Sequence, residues 1–389
     1  MYDVSKFTFL IFVFIKLLIT VIINSSLLIL INGFGVLIVI PPNLLPIPPT
    51  GIKISKLLFF ILLLYIIIMI ITKTPLRITL AGGGTDLPLF TSQNIGRVIP
   101  MAINQYIYTY IFERPENALT IVQSSNLQEV KINSKIKHDI IREVLKYFNI
   151  RKKLHVGFFS TIPTRSGVGS SSSLVVGLIN SICKHKNIKY SKKKISKIAI
   201  KIERKILKEK GGIQDQISAT YGGIILIECY KNFKFKVKNI IFSRKNIKFL
   251  EDHLILIYSD ITRFSSDIHS SQNKKKNIKS YHEVKKEVKD IIDIIKKNSA
   301  KRLGIAFNNH WQRKRKLSKK MTSIKLDNFY KSIIKNGNFY GGKLIGAGGG
   351  GFFLFTVKNK KKAEIYLKKK KFTFTNIKID VLGSRSIVY

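Results

Sequence analysis

Cysteine is almost missing from this 389-residue chain: Cys183 and Cys229 are the only two, which excludes a disulfide framework and fits a reducing, cytoplasmic compartment. Histidine is scarce as well. The seven are scattered, with no pair at metal-ligand spacing and no Cys-x-x-Cys, so no structural metal is expected. Acidic residues number 22 against 68 basic ones, a formal net charge of +46. Such an excess ordinarily points to a nucleic acid or an anionic membrane surface. Arginine, however, supplies only 13 of the 68, and nucleic-acid binders lean on its fork for bases and phosphates. The lysines come with abundant Ile, Asn, Phe and Tyr, residues that share A/T-rich codons. Drift in base composition therefore accounts for the charge, and no nucleic-acid partner is expected.

What is present is apolar residue, 45% of the chain, enough for a substantial core and two domains. It is unevenly spread. Residues 7–31 are almost continuously apolar, interrupted by Lys16 and Asn24-Ser25-Ser26, and are long enough to cross a bilayer once. A Pro-rich stretch follows, then a shorter apolar run at 57–72 that flows into "KTPLRITLAGGG". Residues 1–68 thus read either as a membrane anchor or as an extension outside the working domain, from a start set too far upstream. The second reading is preferred, because Met69 followed by a strand makes a natural domain start. Membrane contact is expected only if the extension is genuine.

From Thr72 the pattern turns mixed α/β. Period-two alternation predicts strands in 97–112 and 154–163, with others at 222–230, 253–260 and a final one in 372–389. Helical spacing covers 171–186, with Leu174, Val175, Leu178, Ile179 and Ile182 on one face, and a Lys-rich helix covers 191–210 before Gly211-Gly212. A domain boundary near residue 245 divides the body into 69–245 and 246–389.

Two stretches carry chemistry. In "TPLRITLAGGGTDLP" (74–88) a strand runs into three glycines, flanked by Arg77 and Asp86, where a ligand can lie against bare backbone. In "IPTRSGVGSSSSLVVGLI" (162–179) a Gly-x-Gly turn enters a Ser-rich helix start, whose exposed amides and dipole make an anion site.

The run Pro163, Gly167, Val168, Gly169, Ser170, Ser171, Ser172 resembles the phosphate loop of the galactokinase/homoserine kinase/mevalonate kinase/phosphomevalonate kinase (GHMP) superfamily, with Val168 where Leu is usual. "GGIQDQISATYGG" (211–223) and "KLIGAGGGGFFLF" (343–355) resemble its acidic catalytic segment and its third, Gly-rich motif. The resemblance covers about 70–389. It implies an α+β, two-domain fold, with a ribosomal protein S5 domain 2-like N-terminal domain and a ferredoxin-like C-terminal one. It also implies ATP and Mg²⁺, with Ser171 and Glu203 as the metal pair; the alternative for Glu203 is a solvated helix charge. Asp215 is expected to orient or deprotonate the acceptor hydroxyl, and Arg77 to stabilise transition-state charge. Gly83, Gly84, Thr85 and Asp86 are expected to hold the acceptor, while Gly348 and Gly349 close over it.

"SDITRFSSDI", "HWQRKRKLS" and "GSRSIVY" narrow the resemblance to the branch that phosphorylates the anomeric oxygen of a heptose 7-phosphate, for making nucleotide-activated heptose. The cations offered to the 7-phosphate are Arg263, Lys314, Lys343 and Arg385. The expected partners are thus a small sugar phosphate and ATP; nothing in the sequence speaks to oligomeric state. Alternatives are a fucokinase- or galactokinase-like enzyme and a non-catalytic, Lys-rich nucleic-acid binder.

Overall fold

The computed structural model describes residues 20–24, 27–31, 37–40, 69–115, 117–163, 166–261 and 278–388. The N-terminal extension lies outside the described residues except for β1 (Thr20–Asn24), β2 (Leu27–Ile31) and β3 (Leu37–Ile40), an antiparallel sheet of their own. Among the described residues no helix is long and apolar enough to cross a membrane. The chain divides into a unit of Met1–Met69 with Val388–Tyr389 and a second of Ile70–Ile387. The candidate site lies wholly in the second.

That unit begins with β4 (Ile70–Ala81), α1 (Pro88–Thr91), the long β5 (Gly96–Glu113), β6 (Thr120–Gln123), β7 (Leu127–Val130), α2 (Asp139–Tyr147) and β8 (Leu154–Ser160). There follow α3 (Ser170–His185), α4 (Lys192–Ile200), α5 (Gln214–Tyr221), β9 (Ile225–Cys229) and β10 (Phe235–Asn239). The strands form a sheet in the order β10-β9-β5-β8-β6-β7, with β4 paired to β5. Helix α3 covers it with the predicted apolar face: Leu174, Val175, Leu178, Ile179 and Ile182 are all buried in the main core. Burial of each such side chain contributes about 1.5–3 kcal/mol, so this stripe fixes where the helix starts relative to the strands.

The Lys-rich helix is shorter than its sequence pattern. Helix α4 passes into a π-helical turn, Lys201–Ile206, with Leu207 N donating to Ile202 O, and Lys208 takes a positive φ. The wider turn carries Glu203, which is fully buried rather than a solvated helix charge.

After α6 (Arg244–His253) come β11 (Leu254–Tyr258), α7 (Ile278–Lys296), α8 (Ala300–Arg315), α9 (Ile324–Lys335), β12 (Phe339–Leu344), β13 (Phe352–Val357), α10 (Lys360–Lys369) and β14 (Phe374–Asn376). The sheet order β12-β13-β11-β14, antiparallel throughout, is the ferredoxin-like arrangement. One expectation fails here. Residues 372–389 are not a single strand: β14 pairs with β11, whereas β15 (Arg385–Val388) pairs with β4 in the other sheet. The break is local chemistry. Asp380 Oδ1 accepts from the amides of Leu382 and Gly383, a side-chain turn that alternation in hydropathy does not register.

Candidate active site

Helix α3 starts without a side-chain cap, and its N-cap Gly169 has φ 82°, the left-handed region where a Cβ is costly. The first intrahelical bond runs from Ser173 N to Gly169 O. The amides before it therefore have no intrahelical acceptor and face outward as an anion cradle. Val168 is buried and its carbonyl accepts from Arg77 N at 3.0 Å, which ties the loop to β4. Pro163 is an exposed residue whose carbonyl takes the Ser166 hydroxyl at 2.6 Å. Ser170 Oγ is buried with no hydrogen-bond partner among the described residues. Ser171 is exposed, and its Oγ lies 3.3 Å from Glu203 Oε1; Ser172 Oγ donates to Glu203 Oε2 at 2.8 Å.

Arg77 is buried and held on three sides. Its Nε and Nη2 donate to the two oxygens of Asp215, each at 2.7 Å, and its Nη1 donates to Gly167 O at 2.7 Å. A forked guanidinium–carboxylate pair fixes both groups in plane. Asp215, in the first turn of α5, is thereby placed against the loop: a Cβ on Gly169 would stand 3.3 Å from its Oδ2. The carboxylate thus stands next to the loop at Gly169.

Asp86 lies beside them, almost fully buried. Its oxygens accept from Gln214 N at 3.2 Å, Gln214 Nε2 at 3.3 Å and Gly84 N at 3.3 Å, and Thr79 Oγ1 holds Gln214 Oε1 at 2.6 Å. Burial, and then the Asp215 charge, push the Asp86 pKa up against the pull of these donors. The glycine run divides its work. Gly83 and Gly84 line a cavity of about 70 Å³, whereas a Cβ on Gly82 would sit 1.9 Å from Arg97 O, so that bareness serves chain packing. Thr85 also serves the turn: its buried hydroxyl lies 2.9 Å from Gly82 O and 2.8 Å from Arg97 O and accepts from Arg97 N.

The other wall of the cavity comes from α7, α8 and β12 and includes Tyr281, His310, Lys314 and Lys343. Lys343 Nζ donates to Leu80 O at 2.6 Å, 4.5 Å from the centre of the Phe307 ring. Burial, moderated by Glu287 and reinforced by Lys314, lowers its pKa to about 7. Lys314 donates to Gly346 O and is lowered to about 8 by burial and then by Arg77. His310 Nδ1 is 2.7 Å from Glu287 Oε2, and burial followed by Lys343 holds it down at about 4. The two buried ammonium groups are pushed toward losing their protons, and an anion bound in the cavity would relieve that penalty.

Of the sequence-predicted residues, Arg77, Gly83, Gly84, Asp86, Asp215, Lys314 and Lys343 line the same cavity. Gly348 and Gly349 do not: Gly349 N is bonded to Met321 O, and a Cβ on Gly348 would meet Met321 Sδ at 2.7 Å. Arg385 is paired with Asp380 at 3.0 Å and is not among the lining residues. Arg263 lies outside the described residues. Polar lining residues that carried no assignment from sequence include Arg204, Gln214, Tyr281 and His310. Gln214 and His310 stand inside the stretches "GGIQDQ" and "HWQRKRKLS", but their types alone did not mark them. Among the described residues no cluster of three metal-ligating side chains occurs.

A model of the GHMP kinase N-terminal domain matches residues 134–223. The chain is 31% identical over 313 residues, 75% of its own length and 90% of the relative's, to D-glycero-alpha-D-manno-heptose 7-phosphate kinase of Campylobacter jejuni subsp. jejuni serotype O:2. It is 29% identical over 297 residues, 69% of this chain and 88% of the relative, to the mevalonate kinase of Methanocaldococcus jannaschii. A solved D-glycero-D-manno-heptose 1-phosphate kinase of Bacteroides thetaiotaomicron superposes with a TM-score of 0.67 over 82% of this chain and 98% of that one; at 20% identity this is a likeness of fold.

Proposed function

Because the chain belongs to the GHMP kinases, ATP-dependent phosphotransferases with an alcohol acceptor, we propose that it phosphorylates the anomeric hydroxyl of D-glycero-α-D-manno-heptose 7-phosphate, giving the 1,7-bisphosphate. The relative's 31% identity over most of both chains supports that substrate. The observation that carries the reading is the Arg77–Asp215 fork, which stands beside Gly169 and lines one cavity with Lys314 and Lys343.

Phosphoryl transfer asks a protein for positioning and charge stabilisation more than for covalent chemistry. In this reading the amides of Gly169–Ser172 grip the terminal phosphates of ATP. Asp215 accepts the proton-bearing side of the sugar's anomeric hydroxyl and aims its oxygen at the γ-phosphorus. Arg77, fixed by its three bonds, stabilises the charge that develops between the two. Asp86 and the Gly83–Gly84 backbone hold the sugar ring, and Lys314 with Lys343 take the 7-phosphate.

Mg²⁺ belongs to the proposal. Ser171 and Glu203 offer the hard oxygen donors such an ion prefers. Burial raises the Glu203 pKa, and its carboxylate has hydroxyl and amide donors but no ion pair among the described residues. Those are the features of a carboxylate suited to a cation. When bound, Mg²⁺ supplies charge neutralisation of the phosphates; the residues supply the aim.

The test is a panel of acceptors read by ADP release: heptose 7-phosphate, the same heptose without its phosphate, fucose, galactose and mevalonate. The reading expects heptose 7-phosphate to give the highest kcat/KM. Preference for an unphosphorylated sugar overturns it.

A further inference from the structure

One buried polar atom of a cavity-lining residue is unexplained by the roles above. Tyr281, in the first turns of α7, is 1% exposed, yet its hydroxyl has no hydrogen-bond partner among the described residues. A buried hydroxyl without a partner costs about 1–3 kcal/mol, so native structures rarely keep one without a use. The ring is held tightly. It meets Phe90 edge to face at 6.2 Å and joins an apolar cluster of Leu87, Phe90, Leu317, Met321 and Ala347. It also lies so close over Gly84 that a Cβ there would stand 2.7 Å from Tyr281 Cε1. That packing leaves the phenol no freedom to swing out to water.

The same turn holds the complementary group. Gly84 N donates to Asp86 Oδ1, so the residue beneath the Tyr281 ring is bonded to the carboxylate expected to accept from the sugar. Tyr281, Gly84 and Asp86 line one cavity. A phenol donates where an ionised carboxylate can only accept. A hydroxyl satisfies both at once, accepting from Tyr281 and donating to Asp86; an ether, a ketone or a deoxy carbon fails one or both. We propose that Tyr281 donates a hydrogen bond to a hydroxyl oxygen of the bound acceptor and so selects, with Asp86, for a free hydroxyl at that position. The proposal rests on the kinase reading above but not on which sugar is the acceptor.

The experiment uses the full chain and whichever member of the acceptor panel wild type turns over best. Tyr281→Phe removes the orphaned oxygen and keeps the ring. The expected result is a weaker acceptor Kd, measured by calorimetry without ATP, by about tenfold, the range for one neutral hydrogen bond. ATP affinity should stay unchanged, and the ligand-free Tm unchanged or higher, since an unsatisfied group has gone. Among monodeoxy analogues of that acceptor, one should bind wild type and Tyr281→Phe equally well. Unaltered acceptor affinity in Tyr281→Phe, or equal weakening for every deoxy analogue, overturns the proposal. If heptose 7-phosphate is a poor acceptor for wild type, the substrate reading falls, while the comparison on the preferred acceptor still decides the role of Tyr281.

Discussion

Residue by residue, the site is a problem of buried charge. Lys314 and Lys343 are two among 55 lysines, and only the motifs around them, not residue type or charge pattern, single them out in the sequence. Burial separates them. The ordinary lysine pKa of 10.5 falls to about 7 at Lys343 in the folded, ligand-free protein. Below pH 7 both folded and unfolded chains carry the proton, and the full penalty of burying it is present. Between about 7 and 10.5 the unfolded chain alone binds it, so stability rises with pH across that window. The ligand-free protein should therefore melt higher at pH 8.5 than at 6.5, and Lys343→Met should flatten that difference in thermal scans. The same variant should raise KM for a phosphorylated acceptor about 10–100-fold, with little change for its unphosphorylated form, as expected when a buried charge-assisted contact is removed. Arg77 and Asp86, by contrast, were legible from sequence because the glycine turn they flank resembles a motif of the family. Tyr281 left no trace, since one tyrosine of 15 announces nothing until its hydroxyl is seen without a partner.

Among the elements, packing decides where propensity would choose otherwise. Helix α8 carries Gly304 in its interior, which costs roughly 0.8–1 kcal/mol of helix propensity relative to Ala. It is there because β12 crosses closely. A Cβ on Gly304 would stand 2.4 Å from Thr356 Oγ1 and 2.8 Å from the Tyr340 carbonyl carbon, and one on Gly341 would stand 2.2 Å from Gly304 O. Gly304→Ala should accordingly destabilise by about 1–3 kcal/mol in urea titration, despite the better helix former, because overpacking outweighs propensity. A gain in stability would show that α8 and β12 can separate freely. This crossing also sets the site, since α8 brings His310 and Lys314, and β12 brings Lys343, to the cavity. Helix α3 and the long strands were readable from period and length. The π-turn at 201–206 and the split of 372–389 into β14 and β15 were not: Asp380 bonds to amides two and three residues on, and Glu203, on the π-turn, meets Ser172 and Gln216 far along the chain.

Across the whole of Ile70–Ile387, the candidate active site is assembled from segments far apart in sequence. Arg77 comes from β4, the amide cradle from the start of α3, Asp215 from α5 and the two lysines from α8 and β12. The chain even returns at its end, where Ser384 and Ser386 hydroxyls meet Thr74 at 2.8 Å and Thr72 at 2.6 Å on β4. The glycine motifs did bring Gly167 against Ile345 and Gly346, where a Cβ on Gly167 would stand 2.8 Å from Ile345 O. Motif order could not foretell that Arg385 turns instead to Asp380, a choice made by the tail's local turn. The central claim is that the Arg77–Asp215 fork serves the transfer step while the helix start binds the nucleotide. Asp215→Asn tests it most directly, with ATP affinity by calorimetry and turnover by ADP release on one preparation of unchanged fold by circular dichroism. The account predicts ATP affinity within about threefold of wild type and a turnover lower by about 10²–10⁴-fold. Undiminished turnover, or ATP affinity lost in step with it, would contradict the account.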